Sequence, residues 1–123
     1  MRNVTVAATQ MACTWELEKN VANAERLVRE AHSKGAQVIL IQELFAAPYF
    51  CIDQSPEHYA LAQEVATSPL IKHFSALAKE LEVVLPLSLF EKHNNAYYNS
   101  LVMIDADGTV METYSKTHIP NGP

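Results

Sequence analysis

The chain has 123 residues, 49% of them hydrophobic and 19% charged, which suits one globular domain with its own core and not a disordered segment. Its net charge of −5 and the absence of any run of Lys and Arg exclude the general electrostatic attraction used to hold nucleic acid or an anionic membrane. No apolar stretch approaches the roughly 20 residues that span a bilayer.

The opening "MRNVTVAATQMAC" alternates apolar and polar residues, as a strand does and a signal peptide does not. Residues 3–10 are predicted to form that strand, with Val4, Val6 and Ala8 on one face. In "TWELEKNVANAERLVREAHSKG", Leu17, Val21, Ala24, Leu27, Val28 and Ala31 recur at helical spacing. Thr14 is the expected N-cap, Glu16 and Glu18 suit the positive end of the helix dipole, and Gly35 stands where the helix should stop. "AQVILI" follows as a short apolar strand of the kind covered on both faces in a parallel sheet.

"AAPYFCIDQSPE" is predicted to be a loop, broken by Pro48 and Pro56. Ser55-Pro56 and Ser68-Pro69 each pair an N-capping hydroxyl with proline at the first helical position. The second opens the helix "PLIKHFSALAKEL", with Leu70, Phe74, Leu77, Ala78 and Leu81 on one face. "VVLPLSLF" reads as a strand in which Pro86 requires an edge or a bulge. "AYYNSLVMIDADGTVMETYSK" reads as a hairpin turning at Asp105-Ala106-Asp107-Gly108. The order β-α-β-α-β-β-β is α/β in class. "THIPNGP" ends the chain on a loop with no closing element, which is expected of the front part of a longer protein.

Three glycines leave no room for a phosphate-cradling loop, and there is no GxSxG nucleophile elbow. The five histidines are scattered without paired-ligand spacing, and Cys13 and Cys51 form neither a metal motif nor CxxC, so neither a metal nor a disulfide is expected. Reduced thiols make the cytoplasm the default location.

What remains is Glu43, a carboxylate directly after the most apolar segment. Burying a charge there is costly unless it is paired or has a task. In open α/β sheets ligands sit beyond the carboxyl ends of strands, where Glu43 falls. Lys116, just after the strand "VMETYS", also stands at a strand end. The two can form a pair in which each neutralises the other. The plainer alternatives are a structural carboxylate and a solvated lysine, as in a generic ligand-binding α/β domain.

"LIQELF" followed by "PYFC", then "YNSLVMIDADG" and "YSKTHIPNGP", resemble the nitrilase superfamily of carbon–nitrogen hydrolases, in wording its N-carbamoylputrescine amidase branch. The resemblance runs through essentially all 123 residues in order. It implies the N-terminal portion of an αββα sandwich and a Cys-Glu-Lys mechanism. Glu43 takes the place of the family's general base, where many members carry Pro instead of Gln42 before it. Lys116 takes the place of the oxyanion-stabilising lysine. The nucleophilic Cys and a further functional Glu of the family lie downstream of Pro123, so neither Cys13 nor Cys51 is promoted to that role.

The implied activity of the full-length protein is hydrolysis of N-carbamoylputrescine to putrescine, carbon dioxide and ammonia, without metal or organic cofactor. The implied substrate is a small carbamoyl amine, and the implied assembly is a homo-oligomer. Tyr49 and Phe50 are candidates for the wall of a pocket that takes an aliphatic cation. His118 and Asn99 read as residues that support the site from behind or stabilise a turn, and are assigned no chemistry. The alternatives are a β-ureidopropionase-like or ω-amidase-like substrate, or a non-catalytic domain or assembly module.

Overall fold

The computed structural model describes residues 1–120; the last residues of the expected terminal loop, 121–123 with Gly122, lie outside the described residues. Strands β1 (Val6–Ala8) and β2 (Val38–Leu40) flank helix α1 (Leu17–Ser33). Helix α2 (Pro69–Leu81) then leads into β3 (Leu85–His93), β4 (Ala96–Ile104) and β5 (Val110–Ser115). This is the predicted order, in the α/β class.

β1 and β2 pair in parallel with Val6 opposite Val38, while β3, β4 and β5 form an antiparallel meander. Val84 stitches the two sheets together: Ile39 N–H donates to its carbonyl at 3.0 Å, and its own N–H donates to Gln37 O at 2.9 Å. Pro86 explains why that seam is one bridge long. Even-numbered residues of this strand turn their backbone groups away from β4, as Val84, Phe90 and Lys92 show. The missing N–H of Pro86 therefore falls on the β2 side, and pairing stops.

Both helices lie on one face of the sheet. Ala24 and Val28 of α1, Phe74, Leu77 and Ala78 of α2, Ile39, Leu85, Leu87, Val102 and Ile104 make one core, with Phe45 set edge-on to Phe74 at 5.4 Å between centroids. On the other face the loop cluster of Leu44, Ala47 and Phe50 packs on Phe90 and buries Ser88, while the β1–β2 part is exposed. The expectation that the 36–41 strand is covered on both sides is corrected accordingly: Ile39 is buried under the helices, whereas Leu40, pointing the other way, is 44% exposed. Val4 and Val6 are exposed as well.

Two caps differ in an informative way. Ser68 caps α2 as predicted, accepting from Ile71 N–H at 3.2 Å ahead of Pro69. Thr14 does not cap α1; the helix starts after Glu16, and Thr14 Oγ1 accepts the Glu16 N–H at 3.1 Å. The chain around Thr14 is held instead by buried Asn20, whose amide accepts from Thr14 N–H at 2.8 Å and donates to Thr14 O and to Ala46 O. The 46–56 stretch is not wholly irregular, since Phe50–Ile52 and Pro56–Leu61 each wind into a 3-10 turn. β3 and β4 form a second hairpin that the sequence pattern does not announce. Its two-residue loop has Asn94 at φ 53°, the left-handed geometry that matches strand twist and that asparagine tolerates.

The β4–β5 turn lies against α2. Gly108 has φ 86°, its carbonyl accepts from Ser75 Oγ, and a Cβ added there would stand 2.9 Å from Ser75 O. Both the dihedral and the space require glycine. Gly108→Ala is therefore expected to destabilise the protein by about 1–3 kcal/mol, read as a lower urea midpoint at unchanged slope. An unchanged midpoint would show that the turn is not docked on α2.

Candidate functional site

β2, β3 and β5 run in the same direction, so the ends of β2 and β5 and the start of β4 share one edge of the sheet. Glu43 follows β2, Lys116 follows β5 and Asn99 lies near the start of β4. Lys116 Nζ donates to Glu43 Oε1 at 2.5 Å, across 73 residues of sequence. Asn99 Nδ2 donates to the same oxygen at 2.7 Å. Among the described residues Oε2 accepts no hydrogen bond. Side chains of Lys116 and Glu43 are 44% and 41% exposed, so the pair sits at an open rim and not in the core.

Each flank of Glu43 is tied down. Before it, the Gln42 amide clasps the Met11 backbone, accepting from N–H at 2.6 Å and donating to O at 2.8 Å. After it, Leu44 has φ 52° although it is not glycine. That conformation costs on the order of 1–3 kcal/mol and persists only when its surroundings hold it. Here the Leu44 N–H donates to Ser88 Oγ at 3.0 Å, and its side chain, 3% exposed, packs with Ala47 and Phe50. Phe45 then enters the main core. The apolar run and its neighbours thus act as a frame that turns one carboxylate out to the rim.

The electrostatics follow from this contact. The hydrogen bond from Lys116, assisted by Asn99, holds the Glu43 carboxyl below the usual range against the opposing effect of burial. The same bond holds the Lys116 ammonium above the usual lysine range. Both groups are therefore charged across neutral pH.

Tyr49 stands beside the pair, exposed at the rim. Its hydroxyl is pushed up, first by burial and then by the Glu43 charge. Phe50 does not line the rim with it. That ring is buried against Phe90 and His58, at centroid distances of 5.1 and 5.4 Å, and anchors the loop. Cys51 is close enough to feel Glu43, yet its thiol is pushed up by burial and then by that charge, the opposite of an activated nucleophile. Cys13 is half-buried at the Gln42 amide, 3.4 Å away, with its thiol also pushed up by burial. Among the described residues no group of three His, Cys, Asp or Glu side chains is placed to hold a metal, and no helix is long and apolar enough to cross a membrane.

Sequence reasoning gives Asn99 a supporting or turn-stabilising place without chemistry and passes over the contacts of Ser88 and Gln42. Asn99 carried a signal: asparagine is disfavoured inside strands, and it interrupts the strand pattern of "YYNSLVMI". Ser88 and Gln42 carried none, because their partners are set by the packing of loops on strands.

Comparison with known proteins bears on this arrangement. Residues 5–123 match the family described as carbon-nitrogen hydrolase. The chain is 57% identical over 122 residues to N-carbamoylputrescine amidase of Solanum tuberosum, covering 99% of this chain and 41% of that protein. It is 41% identical to citrullinase of Francisella tularensis, covering 99% of this chain and 43% of that one. Among solved structures, a carbon-nitrogen hydrolase from Helicobacter pylori G27 superposes with a TM-score of 0.87 at 31% identity, over 96% of this chain and 41% of its own. The chain thus spans about two fifths of the length of these relatives.

The pair gives a signature in titration. Glu43 has a depressed folded-state pKa, so its contribution to stability is complete above the unfolded value of about 4.3 and is lost as pH falls through the folded one. Lys116 is raised, so its contribution is complete below about 10.4 and is lost as pH rises through its folded value. A ¹³C NMR titration is expected to find the Glu43 midpoint below that of the exposed glutamates, and Lys116→Ala should move it upward. A midpoint indifferent to Lys116 would show that the contact does not persist in solution.

Proposed function

This chain belongs to the carbon–nitrogen hydrolase family, and on that premise we propose that the full-length protein is an amidohydrolase whose substrate is N-carbamoylputrescine. The reading rests first on the Glu43–Lys116 contact at the strand-end rim. The choice of substrate rests on the 57% identity to a relative of that name. The nucleophile in this reading is a cysteine carried by the protein beyond residue 123.

Glu43 acts as general base and takes the thiol proton on its free carboxylate oxygen. The thiolate attacks the carbamoyl carbon, and the carbonyl π electrons move onto oxygen. Lys116 enters this step paired, not free. Once Glu43 holds the proton it is neutral, and the ammonium's charge is released to the oxyanion as that charge develops. Collapse breaks a C–N bond, and the departing amine takes the proton back from Glu43. Water, deprotonated by the same carboxylate, then cleaves the thioester-like intermediate; the thiolate leaves and regains the proton, and the carbamic acid formed breaks its remaining C–N bond by losing carbon dioxide. The sum is one substrate and one water giving putrescine, carbon dioxide and ammonia.

Tyr49 offers an aromatic face at the same rim for the substrate's aliphatic ammonium. No cofactor has a part in these steps. Reduced Cys13 and Cys51 accord with a cytoplasmic setting, and the homo-oligomeric state is carried over from the family resemblance. A second reading, hydrolysis of citrulline, is favoured by the 41% identity to citrullinase. Both candidate substrates present a terminal ureido group and differ in what the far end carries, an ammonium alone or an ammonium beside a carboxylate.

In the full-length enzyme, Glu43→Gln is expected to lower kcat by about 10²–10⁴-fold and Lys116→Ala by about 10²–10³-fold, with circular dichroism unchanged. A panel of N-carbamoylputrescine, citrulline, N-carbamoyl-β-alanine and an ω-amide, scored by ammonia release, should rank the first highest. Preference for citrulline selects the second reading, and turnover that survives both substitutions overturns the mechanism.

A further inference from the structure

We propose that Asn99 is a positioning residue, holding Oε1 of Glu43 so that Oε2 is the oxygen presented for proton transfer; this rests on the base role proposed for Glu43. Three observations converge on Asn99. Its Nδ2 donates to Glu43 Oε1 at 2.7 Å, on the oxygen that Lys116 also binds. Its backbone carbonyl accepts the Lys116 N–H at 2.9 Å. It is 7% exposed, in β4 between its β3 partner Phe90 and the end of β5. One residue therefore binds the carboxylate with its side chain and sets the start of the lysine with its main chain.

The two donors to Oε1 are not equivalent. Lys116 reaches it from the rim through a flexible four-carbon stem, and immobilising such a chain is entropically expensive. Asn99 has two side-chain torsions and is buried in a paired strand, so its amide is already in place. A neutral amide also cannot surrender its proton to the carboxylate. Its bond to Oε1 survives when Glu43 becomes protonated on Oε2, at the moment when Lys116 turns toward the oxyanion. Asn99 thereby keeps the carboxyl from rotating as its second partner leaves. The amide orientation follows from the contact itself, since Oδ1 against a carboxylate oxygen would be repulsive.

The test uses the full-length enzyme with N-carbamoylputrescine and the variants Asn99→Ala, Asn99→Ser and Asn99→Asp, beside Glu43→Gln. Asn99→Ala is expected to lower kcat by about 10²-fold, the scale of a misplaced catalytic group, with KM changed less than threefold. Because the lost bond favours the charged carboxylate, the acidic limb of the kcat profile should move to higher pH. Asn99→Ser, which retains a donor, should recover part of kcat, and Asn99→Asp should be the least active, because it sets like charge against Glu43. A pH profile and kcat within twofold of wild type in Asn99→Ala would overturn the proposal, as would loss of folding in all three variants. If Glu43→Gln retains full activity, the base role itself fails. If Glu43→Gln is inactive while Asn99→Ala is not, only the role of Asn99 falls.

Discussion

Two donors converge on one carboxylate oxygen, and the placement of every nearby element serves that meeting. Glu43 Oε1 receives Lys116 Nζ and Asn99 Nδ2 from residues 73 and 56 positions along the chain. Such contacts form only if β2, β4 and β5 are brought into one sheet in register. The sheet achieves this through the Val84 seam on one side and the Asn99–Lys116 backbone bond on the other. Moving β5 by one residue would turn the residues at its end to the opposite face.

The carboxylate is held by what surrounds it in sequence as much as by its partners. Gln42 is clamped to the Met11 backbone, Leu44 is held in a left-handed conformation by Ser88, and Phe45 is locked into the core against Phe74. Strain at Leu44 is sustained because its N–H and side chain are both engaged. In the base role proposed for it, Glu43 benefits from this arrangement, since its backbone stays fixed while its charge changes. The ion pair adds a second property to the proposed mechanism: proton transfer to Glu43 would uncouple the two charges and leave the lysine's charge for the oxyanion.

The uneven cover of the sheet's second face, closed by the loop cluster at Phe90 and exposed at β1–β2, gives the fold its second theme. Both helices cover one side, and Leu40, Val4 and Val6 remain exposed on the other parts of the sheet. The sequence reading of the 36–41 strand expected cover on both faces from its continuous apolar run. In this chain the run is divided, with Ile39 and Ile41 inside and Leu40 outside. Likewise, adjacency in the loop groups Phe50 with Tyr49 as a pocket wall. In space they part, since the 3-10 turn at Phe50–Ile52 drives Phe50 into the cluster with Leu44 and leaves Tyr49 at the rim.

From the sequence alone came the element order, both helices with their apolar faces, the Ser68 cap, the Gly108 turn and the candidacy of Glu43 and Lys116. These are local properties: periodicity, capping chemistry, turn dihedrals and position at strand ends are all written in short stretches of chain. Tertiary structure decided what depends on distant partners. It moved the start of α1 from Thr14 to Glu16, because buried Asn20 holds the Thr14 backbone. It made Asn94 a hairpin corner and Pro86 the end of the β2–β3 seam, and it placed Asn99, to which the sequence assigns no chemistry, on the same oxygen as Lys116. The physical reason is that a hydrogen bond is specified by the register of strands far apart in sequence, whereas a propensity needs only its neighbours.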